Sequence, residues 1–397
     1  MSERKKIAVE QLAVGMYFCG FDASWINSPF WRTGFKLSSP SDVAEVVGAG
    51  YDTCWIDIAL GDDLAGPSDL IPLIETRNDD AKRAQQVPAA WQDAQRLFAE
   101  TKELAKELFC QVRLGKAVDV RICQRIVEDL TAAAIRDPDT IMSVLRLKLA
   151  DEYVYAHSLS VSVLMVALGR TIGLDADACM EAGLAGYLHD IGKAFIPEDI
   201  LNKPEQLTRE EYKLVQRHTT LGYRYLQENP RIPPTVALVC LHHHEKMDGS
   251  GYPLRKLSNE IDLYSRMAAI ADVYDALTSD RPYKQGWEPA TAISRMACWK
   301  GHFDPTLMSA FVKSIGIYPV GSVVKMRSGR YAVVIRQNHD ELLRPVVRIV
   351  EYAAATEMTE PVLIDLSDRN SGDEIAEKID EHWNDVKGIA KSMLLSI

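Results

Sequence analysis

Apolar residues recur at three- and four-residue spacing from the second quarter of the chain onward. Ala94, Leu97, Phe98, Leu104, Leu108 and Val112 fall on one face of a 3.6-residue period. This pattern predicts a helix whose apolar stripe packs against a core, beginning near Ala89. Further helices are expected over 120–135 and 139–149, and 150–316 reads as almost wholly helical, interrupted at Gly and Pro. The period changes after Ile317-Tyr318-Pro319. Ser322–Met326 and Tyr331–Ile335 flank Ser328-Gly329, a hairpin signal, and 345–350 and 361–364 add strand candidates. A helix over 373–394 is expected to close the chain. At the other end, Gly15–Cys19 and Thr53–Ile58 read as strands, with a short helix over 41–47 between them. Gly, Asp and Pro crowd the stretch from Gly61 to Pro88, a linker-like composition.

The expected organisation is therefore mainly α. A small α+β domain occupies 1–65, a linker 66–88, a helical connector 89–149, an all-helical core 150–316 and a small β-rich α+β extension 317–397. A chain of 397 residues accommodates two or three such units.

Composition narrows the setting. The 47% hydrophobic and 25% charged content is that of an ordinary globular protein. No apolar run reaches the roughly 18 residues of a membrane span, and no apolar stretch follows the charged N-terminus as in a signal peptide. Seven dispersed cysteines, none in a Cys-x-x-Cys pair, read as reduced thiols and point to the cytoplasm. A net charge of -11 disfavours a nucleic acid polymer as partner but leaves room for a small anion in a locally cationic pocket.

Candidate chemistry concentrates in the helical region. Six of the nine histidines, His157, His189, His218, His242, His243 and His244, lie between 157 and 244. His189 is followed by Asp190, then Ile191-Gly192-Lys193; Asp272 and Asp275 sit in an otherwise apolar helical stretch. A carboxylate there is costly unless paired. Arg266 is one candidate partner and a metal is another. Taken singly, each histidine is more ordinarily a cap, a surface residue or a satisfied core residue. Together, imidazoles and carboxylates suit two adjacent divalent metals, which can activate a hydroxide and clamp a phosphoryl group. His189 and Asp190 are expected on a helix, with Lys193 four residues after His189 on the same face. Thr208-Arg-Glu-Glu211 is a capping box opening the helix that leads to His218.

Several stretches carry a resemblance: Tyr155-Ala-His157-Ser, Leu188-His-Asp-Ile-Gly-Lys193, Ile196-Pro197 through Asn202-Lys203-Pro204, His218, and His243-His-Glu-Lys-Met-Asp-Gly-Ser-Gly-Tyr-Pro253. Arg266-Met267, Ile270-Ala-Asp-Val-Tyr-Asp-Ala-Leu-Thr278 and Arg281-Pro-Tyr-Lys284 complete it. In this order, over roughly 150–315, they resemble HD-GYP domains, the cyclic dinucleotide phosphodiesterases of the HD hydrolase superfamily. The resemblance implies metal ligands at His157, His189, Asp190, His218, His243, His244 and Asp272, with Asp190 bridging two metals, iron or manganese. It implies phosphate contacts from Lys193, Arg281 and Lys284, and a substrate loop shaped by Gly251, Tyr252 and Pro253. Some relatives carry a glutamate four residues before the first histidine and bind a third metal. Tyr153 stands there in this chain, with Glu152 one residue out of register, so two metals are expected.

The activity so implied is hydrolysis of cyclic di-GMP to linear pGpG, with Asp190 and Lys193 in the reacting centre and GMP as a further product to test. A 3′,3′-linked cyclic GMP-AMP is the alternative substrate. A noncatalytic cyclic di-GMP receptor and a mononucleotide hydrolase are competing classes. A full ligand set argues against the receptor; the Gly251-Tyr252-Pro253 and Arg281–Lys284 segments argue against the mononucleotide hydrolase. The N-terminal stretch, with Gln11-Leu12, Gly15-Met16-Tyr17, Ser24-Trp25, Pro29-Phe30 and Trp55-Ile56-Asp57, resembles a domain of unknown function found ahead of HD-GYP domains. Trp25, Phe30 and Trp31 are read there as core rather than ligand face. A homodimer or a signalling-protein partner, relayed through 89–149, fits this layout.

Overall fold

The computed structural model describes residues 4–21, 35–37, 43, 53–58, 60–61, 89–146, 153–203, 205–280, 285–338, 340–350, 362–368 and 371–378. The chain divides into two compact units, Met1–Arg83 and Ala84–Ile397. The expected linker at 66–88, the aromatic residues Trp25, Phe30 and Trp31, and Arg281 and Lys284 lie outside the described residues. Of the expected helix at 41–47, only position 43 is described, and it is helical.

In the first unit, β1 (Arg4–Ala8), β2 (Tyr17–Phe21), β3 (Phe35–Lys36) and β4 (Thr53–Asp57) form an antiparallel sheet in the order β1-β4-β2-β3. Ile7 pairs with Cys54, and Phe18 with Ile56, before a bulge at Gly20. Ile7, Met16, Phe18, Leu37, Cys54 and Ile56 are buried together. The pleat sends alternate side chains to opposite faces, so β1, β2 and β4 contribute apolar faces to this core.

The second unit opens with α1 (Ala89–Arg113), α2 (Val120–Arg136) and α3 (Pro138–Arg146). Most of the apolar stripe read from the sequence is the buried side of α1: Ala94, Leu108 and Val112 are in the core, with Leu97 and Phe98 packed against it, whereas Leu104 is exposed and its neighbour Ala105 takes the core position. Next come α4 (Tyr153–Thr171) and α5 (Ala176–Leu188). Neither confines its apolar residues to one stripe, and most of α4 and the second half of α5 are buried in the core. Leu159, Leu164, Met165, Leu168 and Tyr187 are fully buried. Around them pack α6 (Glu198–Leu201), α7 (Arg209–Gln216), α8 (His218–Gln227), α9 (Pro234–His242), α10 (Leu263–Thr278), α11 (Pro289–Cys298) and α12 (Pro305–Ile315). Starts follow local chemistry. Thr208 and Glu211 form the expected capping box on α7, Asp262 caps α10 through Ser265, and Asp304 caps α12 ahead of Pro305.

Beyond α12, β5 (Val323–Met326), β6 (Tyr331–Arg336), β7 (Val346–Val350), β8 (Leu363–Asp365) and β9 (Ile375–Lys378) form an antiparallel sheet ordered β8-β7-β6-β5-β9. The expected hairpin is β5–β6. The start of the expected closing helix is instead strand β9, because β5 offers it an open edge. Val324 pairs with Lys378, Lys325 with Glu377, and the Lys325 ammonium meets the Glu377 carboxylate at 2.9 Å. Ladder bonds along a free edge outweigh the helical propensity of this short stretch. The sheet is tied to the helices through Gln337, whose backbone N–H donates to Asp139 and whose side chain donates to the Tyr318 carbonyl at 2.6 Å.

Candidate metal centre

Five segments deliver the polar residues to one buried place. His157 comes from the second turn of α4, His218 from the first residue of α8, and Asp272 and Asp275 from α10. His243 and His244 follow the last residue of α9, and His189 and Asp190 follow the last residue of α5. The last pair differs from expectation: α5 ends at Leu188, and Asp190 leads into a 3-10 turn over Ile191–Phe195. The tighter turn brings residues three apart together. Lys193 therefore contacts the Asp190 carboxylate rather than sharing a face with His189.

The turn sits where it does because Gly192 lets it approach α8. A Cβ on Gly192 would stand 1.9 Å from the His218 carbonyl oxygen and 2.7 Å from the Gly222 nitrogen. Only a glycine permits such backbone contact, and it sets Asp190 opposite His218.

The two oxygens of Asp190 face two groups of ligands. Oδ1 lies 3.3 Å from His218 Nε2 and 3.8 Å from His243 Nε2. Oδ2 lies 3.2 Å from His189 Nε2 and 3.6 Å from His157 Nε2. Asp272 extends the second group, with Oδ1 3.1 Å from His157 Nε2, and its Oδ2 lies 3.7 Å from His244 Nδ1. Asp190, His218, His243 and His244 form one set able to hold an ion, and His157, His189 and Asp272 another. All seven residues expected as ligands thus converge.

Ring orientation is imposed from outside the cluster. His189 Nδ1 donates to the Gly186 carbonyl at 2.7 Å, His218 Nδ1 to Val215 at 2.7 Å, and His243 Nδ1 to Val239 at 3.0 Å. His157 Nδ1 donates to the Asp275 carboxylate at 2.7 Å. With each Nδ1 engaged, Nε2 carries the inward lone pair, the arrangement that orients metal-ligating imidazoles. Sequence reasoning placed Asp275 beside Asp272 but did not reach its contact with His157. Its signal is a second carboxylate three residues past Asp272, on the same side of the helix.

Electrostatics match. Burial holds His218 down to about 4 and His244 to about 3, and pushes His243 well below its ordinary value. Burial by itself would raise Asp190 and Asp272. Lys193 and the histidines prevail at Asp190, and His157 and His244 at Asp272, holding both carboxyls well below the usual range. At His189 burial opposes protonation, but Asp190 prevails and raises it. Mostly neutral imidazoles beside ionised carboxylates are what a divalent cation requires. His189 Nε2 and Asp190 Oδ1 are buried without a hydrogen-bond partner, a costly condition that a cation in each ligand set would relieve. The residues present therefore fit a metal.

Tyr252 joins the cluster, its ring stacked on His244 with centroids 4.6 Å apart and planes at 27°. Tyr212 of α7 meets Tyr252 edge-on at 6.4 Å. Gly251 and Pro253 belong to the same loop. His242, the first histidine of the run, points elsewhere, 3.7 Å from Asp262. Arg266 pairs with Asp304 at 2.6 Å rather than with Asp272.

The HD domain family model matches residues 141–307, and the model for a domain of unknown function, DUF3391, matches 4–123. A cyclic di-GMP phosphodiesterase of Pseudomonas aeruginosa is 41% identical over 404 residues, covering 98% of this chain and 97% of the relative. A cyclic di-GMP phosphodiesterase response regulator of Xanthomonas campestris is 33% identical over 193 residues, 48% of this chain and 51% of that one. A 3′3′-cGAMP-specific phosphodiesterase of Vibrio cholerae is 36% identical over 160 residues, 40% of this chain and 31% of that one. Among the described residues no helix is long and apolar enough to cross a membrane. With a relative matched over nearly its whole length and the His-Asp cluster in place, the chain belongs to the HD-GYP family of HD-domain phosphodiesterases.

Proposed function

We propose that this protein hydrolyses cyclic di-GMP to linear pGpG at the Asp190 centre, in the cytoplasm. The observation that carries the reading is the Asp190 carboxylate, whose two oxygens face two separate ligand sets. The full-length likeness to a cyclic di-GMP phosphodiesterase supports the substrate. His218, His243 and His244 would hold one divalent ion, His157, His189 and Asp272 a second, with Asp190 shared. Imidazole with carboxylate suits iron or manganese. When bound, such a pair supplies Lewis acidity to water and to a phosphoryl oxygen.

The chain's own residues do the rest. Lys193, with 22% of its side chain exposed, places an ammonium at the edge of the buried cluster, where it offsets negative charge developing on the phosphoryl oxygens. Arg281 and Lys284 are assigned to the phosphates. The loop of Gly251, Tyr252 and Pro253 forms a wall for the substrate. Water adds to one phosphorus, the bond to the 3′ oxygen breaks, and that oxygen leaves with a proton, so one ring opening gives pGpG. Tyr153, in the position where a third-metal glutamate would stand, favours stopping there.

The test is anaerobic turnover of cyclic di-GMP by iron- or manganese-loaded protein, with Asp190→Ala alongside and products separated by chromatography. Metal-dependent pGpG, lost in the variant, is expected. Tight binding without turnover would instead make the protein a receptor, and GMP accumulation would overturn the single-step reading. The likeness to the cGAMP-specific enzyme favours 3′,3′-cyclic GMP-AMP as the second substrate to assay.

A further inference from the structure

The loop after the histidine pair has little apolar anchorage of its own. Leu254 is 57% and Leu257 54% exposed, and Arg255 adopts a left-handed φ of 56°. Polar contacts to the preceding backbone hold it instead. The Tyr252 N–H donates to the His244 carbonyl at 3.1 Å. Gly251 lies so close to this backbone that a Cβ would stand 2.4 Å from the Lys246 nitrogen and 2.5 Å from the Glu245 Cα. On the far arm Lys256 Nζ and the Leu257 N–H reach Glu260, at 3.2 and 2.8 Å, and one buried side chain reaches Leu254 and Lys256 from within. Glu245, 3% exposed, accepts the Leu254 N–H at 2.6 Å on one carboxylate oxygen and the Lys256 N–H at 3.1 Å on the other.

Glu245 therefore spans the loop from within. It follows His244 directly, and its carboxylate closes the segment that lays Tyr252 on the His244 ring. A buried carboxylate is stable only when its oxygens are satisfied, and here two backbone N–H groups on the loop satisfy it. Charge-assisted bonds of this kind are stronger than neutral ones. The near arm has separate support: the Asp248 N–H donates to the Gly301 carbonyl at 2.9 Å, and the Ser250 N–H donates to the Asp248 side chain at 2.9 Å. Releasing Glu245 would loosen the Tyr252–Lys256 arm, with the Tyr252 bond to His244 and the Lys256 contact to Glu260 remaining, and leave the rest of the fold supported.

We propose that Glu245 is a positioning residue for substrate binding: by clasping Leu254 and Lys256 it holds the Tyr252 ring against the metal ligand His244. The inference rests on reading the site as a cyclic dinucleotide phosphodiesterase. Its action is on the loop rather than on the reacting atoms, so its signature is in KM. A carboxamide keeps one acceptor oxygen but turns an NH₂ toward the other N–H, so Glu245→Gln retains part of the clasp.

The test uses the full-length protein loaded with manganese, comparing wild type, Glu245→Gln and Glu245→Ala. Three readouts are taken: metal content by elemental analysis, KM and kcat for cyclic di-GMP, and hydrogen exchange at 252–256. Expected are wild-type metal content, faster exchange in this segment, and a KM raised about tenfold in Glu245→Ala and less in Glu245→Gln, with kcat within about twofold. Unchanged exchange together with unchanged KM overturns the proposal. So does a loss of metal with falling kcat at constant KM, because Glu245 would then act through His244. If Glu245→Ala does not fold, Glu245→Gln carries the same comparison. If the wild type fails to turn over cyclic di-GMP, the proposed function falls, while exchange in the variants still decides the loop contact.

Discussion

The Asp275 carboxylate accepts a hydrogen bond from His157 Nδ1 at 2.7 Å, across 118 residues of sequence, and so turns His157 Nε2 toward Asp272 and Asp190. Asp275 sits on the same helix as Asp272, one turn further on. One helix thus supplies both a candidate ligand and the group that aims another ligand. Outer partners of metal-bound histidines typically contribute 10–100-fold in affinity. Asp275→Asn is accordingly expected to weaken manganese binding by about that factor. Titration of chelator-treated protein checks it, and equal affinity in the variant would remove Asp275 from this role.

The two ligand sets predict separable losses. His218→Ala should vacate the set of Asp190, His218, His243 and His244, and His157→Ala the set of His157, His189 and Asp272. Each variant is expected to retain one ion of two. Asp190→Ala, which removes the shared carboxylate, should lose both. Elemental analysis after desalting reads this directly, and two ions remaining in Asp190→Ala would refute the bridging geometry.

Gly192 is a packing requirement of the centre. An added methyl would meet the His218 carbonyl and the Gly222 nitrogen, and backbone atoms yield less readily than side-chain tips. Gly192→Ala should cost about 1–3 kcal/mol, the usual range for overpacking. It should also displace Asp190 from His218. A lowered Tm together with reduced metal content is the expected result.

Helix α1 reaches the same turn from the other side. Arg113 Nε donates to the Ala194 carbonyl at 3.2 Å, and its guanidinium pairs with Glu198. The ion pair is largely solvent-exposed and adds little, so the bond to the carbonyl dominates. Arg113→Met is expected to lower stability by about 1 kcal/mol, measured by urea denaturation. Its larger interest is kinetic, because Ala194 adjoins Lys193, and a kcat reduced at unchanged metal content would link α1 to the catalytic turn.

Proton linkage gives the metal-free protein a direction with pH. Burial lowers His218 to about 4, His244 to about 3 and His302 to about 4, against an ordinary value of 6.5. Between those values the unfolded chain binds more protons than the folded one, so stability falls as pH drops below 6.5. His189, raised by Asp190, opposes this with a single group. Chelator-treated protein should therefore melt at a lower temperature at pH 5 than at pH 7.5. A Tm that is flat or rises on acidification would show that these histidines are not buried neutral.

Much of the protein was legible in its residues because the determining physics is local. The apolar stripe of α1 apart from Leu104, the Thr208–Glu211 capping box and the β5–β6 hairpin each depend on neighbours within a few positions, and each formed where expected. The spacing of histidines and carboxylates likewise marked which residue types would meet. Tertiary packing decided how they meet. The end of α5 at Leu188 gave way to a 3-10 turn pressed against α8, and this transferred Lys193 from His189 to Asp190. In the run of three histidines, the end of α9 turned His242 toward Asp262 and the next two toward the centre. The Asp275–His157 bond and the Glu245 clasp arose in the same way. Periodicity and capping are written in adjacent residues, whereas the direction of a buried polar side chain is set by partners that only the packed fold brings within hydrogen-bonding range.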